Sequence, residues 1–127
     1  MDTSRAYITM CAMAGEIQAL HDLEHGDYYE ISGKIEILYR PNAAPRNIVG
    51  TVWLPRQDQL QAMAFSGREA SIASILRFAA WCQEKLAEGA GRPSVIVSLE
   101  QLWLSFLMDE RFGKCWNGQG WSVGVAL

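Results

Sequence analysis

Two histidines four residues apart, His21 and His25, carry the sharpest chemical suggestion in the chain. On one helix face that spacing lets two imidazoles share a metal ion, and Asp22, Glu24 and Asp27 stand close enough in sequence to add carboxylates. The competing reading is a helix exit. Glu24-His25-Gly26-Asp27 has the composition of a chain leaving a helix, where a histidine meets solvent or the negative end of the helix dipole. No cysteine stands beside the pair, and the helix exit fits the residues better, so neither a metal ligand nor a cofactor is assigned. Nucleophilic catalysis needs a nucleophile, a base in reach of it and a group that orients the base. The chain has neither a G-x-S-x-G elbow nor a glycine-rich phosphate loop. Gly113, Gly118 and Gly120 are spaced for a helix end and a turn, and the pairs Asp109-Glu110 and Glu84 with Glu88 fall on helix faces expected to be solvated. No catalytic residue is assigned.

Binding chemistry is better represented. In residues 53–61, WLPRQDQLQ, three glutamines, an aspartate and an arginine gather around the start of a helix, a dense set of donors and acceptors on a rigid element. A solvated first turn whose Asp58 favours the helix dipole would also account for them. Trp116 and Trp121 bracket Asn117-Gly118-Gln119-Gly120, and Asn-Gly is a strong reversal signal because both residues tolerate positive φ. The two indoles therefore form either a cross-strand pair that stabilises a hairpin or part of a contact surface. Trp53, Trp81 and Trp103 fall on or beside apolar stripes and read as core. The candidate partner-binding residues are Trp53, Arg56, Gln57, Asp58, Gln59, Trp116 and Trp121.

Several elements must position these residues. Tyr7, Met10, Cys11, Ala14 and Ile17 trace one helical face, with Thr3 or Ser4 as N-cap, and predict a first helix reaching about residue 23. DYYEISGKIEILYR alternates in a way that predicts a β-hairpin around Ser32-Gly33, PNAAPR reads as a loop, and residues 48–53 give a third strand. Pro55 suits the first turn of a short helix that buries Leu60 and Met63. After a break at Ser66-Gly67, a longer helix is expected to turn Ile72, Ile75, Leu76, Ala79, Cys82 and Leu86 inward, widened by Phe78 and Trp81. It stops at GAGRP, and residues 95–97 read as a lead-in or an edge strand. Ser98 three residues before Gln101 is a capping box, so a core helix starts at Leu99 and carries Leu99, Leu102, Trp103, Phe106 and Leu107 until Gly113 ends it. The fold class is α+β: one domain over 1–127, a small antiparallel sheet with about four helices and a C-terminal hairpin.

A chain of 127 residues with 14 acidic and 11 basic side chains, net charge −3, lacks the basic face that broad nucleic-acid binding uses. A nucleic-acid contact would need Arg40, Arg46, Arg56 and Lys114 to converge. Three cysteines scattered among apolar residues fit reduced thiols in a cytosol. No apolar run is long enough to span a bilayer, and the N-terminus has no signal-peptide pattern, so neither membrane insertion nor secretion is expected. A half-hydrophobic composition and the tail VGVAL suggest a homodimer.

The segments WLPRQDQLQ with Met63 and SLEQLWLSFLMDERFGKCWNGQGW, with Glu16-Ile17-Gln18 and Gly26-Asp27 upstream, resemble a group of small uncharacterised proteins encoded by bacteriophages and prophages. The resemblance implies a viral or prophage protein in the cytoplasm of a bacterial host, and it implies no site. The leading functional expectation is a non-enzymatic accessory protein that binds a host or phage protein. A nucleic-acid contact is second, and a small metal-dependent hydrolase using His21 and His25 is third.

Overall fold

The structure is a computed structural model that describes residues 1–65, 72–88 and 96–123. The expected break at Ser66-Gly67, the GAGRP loop, Val95 and the apolar tail beyond Val123 lie outside the described residues. Among the described residues the architecture is α+β, with five helices, a three-stranded antiparallel sheet and a C-terminal hairpin. Its contacts group into two units, residues 1–56 and residues 57–127. No helix among the described residues is long and apolar enough to cross a membrane.

In the first unit Ser4 caps α1 (Arg5–Met13), its hydroxyl accepting the Tyr7 N–H. The stripe Tyr7, Met10, Cys11, Ala14 and Ile17 is buried as its spacing predicts. The helix itself is interrupted. Ala14 leaves helical geometry at φ −89°, ψ 65°, and the chain restarts as α2 (Gly15–Gln18), so the single helix expected to reach about residue 23 is two shorter ones. Strands β1 (Tyr28–Ile31) and β2 (Lys34–Ile37) form the expected hairpin, with Ser32 and Gly33 both at positive φ, the geometry that matches strand twist in a two-residue turn. Strand β3 (Thr51–Leu54) pairs with the other side of β1, giving the order β2-β1-β3. It begins three residues later than expected because Gly50 sits at φ 83° and Val49 is outside the sheet and exposed. Helix α1 packs on β3, and the Tyr7 hydroxyl donates to the Pro55 carbonyl at 2.8 Å.

The second unit is built on α5 (Leu99–Phe112). Ser98 Oγ accepts the Gln101 N–H while Gln101 Oε1 accepts the Val97 N–H, and Gly113 closes the other end at φ 64°. Trp103, Leu104, Phe106, Leu107 and Met108 are buried, so α5 is covered almost all round, whereas Leu99 is exposed. Helix α3 (Gln57–Ala64) packs along α5 and starts two residues after Pro55, which therefore precedes the first turn instead of occupying it. Strands β4 (Lys114–Trp116) and β5 (Trp121–Val123) form the C-terminal hairpin.

The largest departure concerns α4 (Ile72–Glu88). The stripe expected to face inward faces out: Ile72 is 78% exposed, Ile75 53%, Leu76 62% and Leu86 78%. The buried side is the aromatic one. Phe78 stacks on Trp103 with centroids 3.7 Å apart, and Trp81 meets Phe106 edge-on at 5.4 Å. Polar contacts hold the same side: Trp81 Nε1 donates to Asp109 at 2.7 Å, Arg77 pairs with Glu110, and Lys85 approaches Asp109 at 3.7 Å. Two indoles and two phenyl rings bury more apolar area than isoleucine and leucine do, which decides the rotation of the helix.

Candidate functional site

The structure separates the two histidines. His21 turns inward, where its Nε2 lies 2.6 Å from Asp27 Oδ2 and its ring stacks on Trp53 with centroids 3.8 Å apart and planes 17° apart. His25 turns the other way, accepts the Arg40 N–H at Nδ1 and meets Tyr39 edge-on. The helix had already ended at Gln18, so the four-residue spacing no longer puts the imidazoles on one face.

Asp27 is the polar centre of this region and only 1% exposed. Its Oδ2 accepts the Glu24 N–H at 2.9 Å as well as the imidazole, and Arg56 lies 3.8 Å from Oδ1 while donating to the Gly26 carbonyl. Backbone bonds between Leu38 and both Gly26 and Asp27 fix the same turn. With Asp27 as acceptor, Nε2 is the nitrogen that donates. Ligand atoms of His21, Glu24 and Asp27 lie within 4.8 Å of one another, the spacing of a metal site. A cation placed there would have to break the His21–Asp27 hydrogen bond and share Asp27 with a guanidinium. The donor set therefore reads as a hydrogen-bonded lock on the helix exit.

A cleft of about 300 Å³ opens beside this lock, lined by His21, Gln18, Asn47, Thr51 and Trp53 among others. Its polar groups are already engaged in part. The Gln18 amide accepts the Trp53 N–H at 2.8 Å and donates to the Trp53 carbonyl at 2.9 Å, completing the open edge of β3 as a neighbouring strand would. Thr51 Oγ1 donates to the Ile48 carbonyl. Among the described residues no nucleophile is hydrogen-bonded to His21.

Of the candidate partner-binding residues, Trp53 is buried at 3% exposure as the floor under His21, and its Nε1 has no hydrogen-bond partner among the described residues. Arg56 is turned back on Gly26 and Asp27 and ends the first unit. Gln57, Asp58 and Gln59 open the second unit on the first turn of α3, with Asp58 exposed and the two glutamines half-buried. Trp116 and Trp121 are cross-strand partners in direct register, centroids 5.1 Å apart and half-buried. Asn117 Oδ1 accepts the N–H groups of Gln119 and Gly120, so the turn is held by its own asparagine. The arginines proposed for nucleic acid have diverse settings: Arg46 bridges Leu23 through its backbone, Arg40 Nη1 is buried without a partner among the described residues, and Arg56 faces Asp27.

The surface that sequence reasoning missed is the outer side of α4. Ile72, Ala73, Ile75, Leu76, Ala79, Ala80, Leu86 and Ala87 are all exposed there, and Gln83 is the one polar side chain among them. Arg77, Glu84 and Glu88, also exposed, border it along one edge. The signal is present in the sequence, since α4 is apolar on both sides, but periodicity merges the two sides into a single broad inward face. Comparison with known proteins adds nothing: no family model, curated protein or solved structure matches the chain.

Proposed function

We propose that the chain acts by protein–protein binding, without catalysis, and that the outer face of α4 is its working surface. The observation that carries this reading is the exposure of Ile72, Ile75, Leu76 and Leu86 on the side of α4 that faces away from the aromatic cluster. An apolar face about 25 Å long, at 1.5 Å per helical residue, costs solubility when left in water and is commonly a site of contact. The phage or prophage setting, with a host or phage protein as partner, rests on the sequence resemblance alone, as does a bacterial cytoplasm. The hairpin pair Trp116 and Trp121 and the first turn of α3 remain secondary candidates for the same role. The test is a pair of single substitutions, Ile75→Glu and Leu76→Glu. Both should leave the melting temperature within a few degrees of wild type, because the positions are exposed, and both should abolish co-purification of any partner the wild type retains. Retention of that partner by both variants would move the contact elsewhere.

A further inference from the structure

Resting on that reading of α4, we infer that the occupant of the face is a second copy of the same helix, packed antiparallel about a two-fold axis passing beside Ala79 and Ala80. Three features of α4 fit this arrangement. The face carries no charge, so a copy of itself buries no unpaired ion. Its large and small side chains are also distributed as a self-complementary surface. With Ala79 opposite Ala80 of the other copy, Ile72 falls level with Ala87, a large side chain against a small one, and Leu76 lies across Gln83. The two central alanines allow close approach of the backbones.

The third feature is charge, and it fixes the direction. Arg77, Glu84 and Glu88 share one shoulder of the face, with the arginine towards the N-terminal half and the glutamates towards the C-terminal half. An antiparallel two-fold pair brings like shoulders together. Arg77 then stands within about 3 Å, along the axis, of Glu84 of the other copy, given a rise of 1.5 Å per residue. The pairing occurs twice by symmetry, and it leaves Arg77 donors enough for Glu110 of its own chain. A parallel pair would instead set this charged shoulder against the Cys82 side, with no opposite charge to meet. Such an interface is isologous and therefore closes as a dimer. One helix pair covers less than the about 800 Å² per partner of a standard interface, so the dimer should dissociate in the range of tens of micromolar.

Sedimentation velocity on the full chain tests this, across roughly 5 to 300 micromolar to bracket a weak constant. The wild type should pass from monomer to dimer over that range. Leu76→Glu should stay monomeric. Glu84→Arg should weaken association by about tenfold, because it sets arginine against Arg77, and the double variant Arg77→Glu with Glu84→Arg should recover most of the loss. A wild type that stays monomeric throughout overturns the second copy as occupant, yet leaves the α4 face to be judged by the co-purification test above. A dimer that persists in Leu76→Glu places the contact between copies elsewhere and overturns the inference. Should Leu76→Glu lose its fold by circular dichroism, Glu84→Arg decides alone, since it leaves the Arg77–Glu110 pair intact: weakened association supports the antiparallel pair, and unchanged association refutes it.

Discussion

His21 lies flat on Trp53, ring centroids 3.8 Å apart, while the edge of its ring is held 2.6 Å from the carboxylate of Asp27. One side chain thereby ties the helix exit to the sheet floor. Removing the carboxylate should cost more than removing the ring, because Asp27 also holds the Glu24 N–H and faces Arg56. Asp27→Ala is expected to lose about 3 kcal/mol of unfolding free energy, and His21→Ala about 1–2 kcal/mol, read from urea melts. His21→Phe, which keeps the stack and loses the hydrogen bond, should fall between wild type and His21→Ala.

The edge of β3 gives a second prediction. Gln18 makes both hydrogen bonds to Trp53 that a neighbouring strand would make, so Gln18→Ala should cost about 1–2 kcal/mol. Gln18→Glu should cost at least as much. The carboxylate still accepts the Trp53 N–H but turns an acceptor towards the Trp53 carbonyl, and stability should partly return as the pH falls and that carboxylate is protonated.

Metal addition separates a hydrogen-bonded lock from a metal centre at His21, Glu24 and Asp27. Stoichiometric zinc, then excess chelator, should each leave the melting temperature of the purified chain unchanged. A rise of several degrees with zinc, lost in His21→Ala, would show that the His21–Asp27 hydrogen bond yields to a metal.

Burial pushes the Cys11 thiol well above its ordinary value of 9.0, with the Tyr7 contact opposing and Asp2 adding to the rise. The sign of the linkage follows. Well below pH 9 the thiol is protonated folded and unfolded, and its contribution is constant. Above that, the unfolded chain releases a proton that the folded chain keeps, so stability falls as pH rises. Urea midpoints should decline from pH 9 to 10.5, and Cys11→Ala should flatten part of that decline. Native Cys11 should also resist thiol reagents that reach half-buried Cys82 and Cys115.

What was legible in the sequence is what short-range chemistry settles. Ser98, Gln101 and Gly113 define α5 through contacts within four residues, and Asn117-Gly118 closes a hairpin that puts Trp116 on Trp121. The lock at Asp27 was only half legible. His21, Glu24 and Asp27 were visible as neighbours, but the break at Ala14 and the end of α2 at Gln18 replaced an imidazole pair by an imidazole and a carboxylate six residues on. Its floor comes from Trp53 and its edge from Gln18, 35 residues apart, and no local pattern encodes that contact. Helix α4 failed for a different reason. Periodicity finds an apolar stripe but cannot choose between two, and the choice fell to Phe78 and Trp81, whose partners Trp103 and Phe106 lie on another helix.

The most direct measurement of the central claim is the accessibility of Leu76 where the chain works. Leu76→Cys, labelled with a small maleimide and read by peptide mass mapping against buried Cys11, reports whether the outer face of α4 is covered. In dilute purified protein the new thiol should label rapidly, as expected of a residue 62% exposed. In the cells that naturally make the chain, labelling should be measurably slower, in proportion to the fraction of molecules whose face is covered. Equal labelling rates in the two settings would mean that the face stays open to water, and would contradict a binding role for α4.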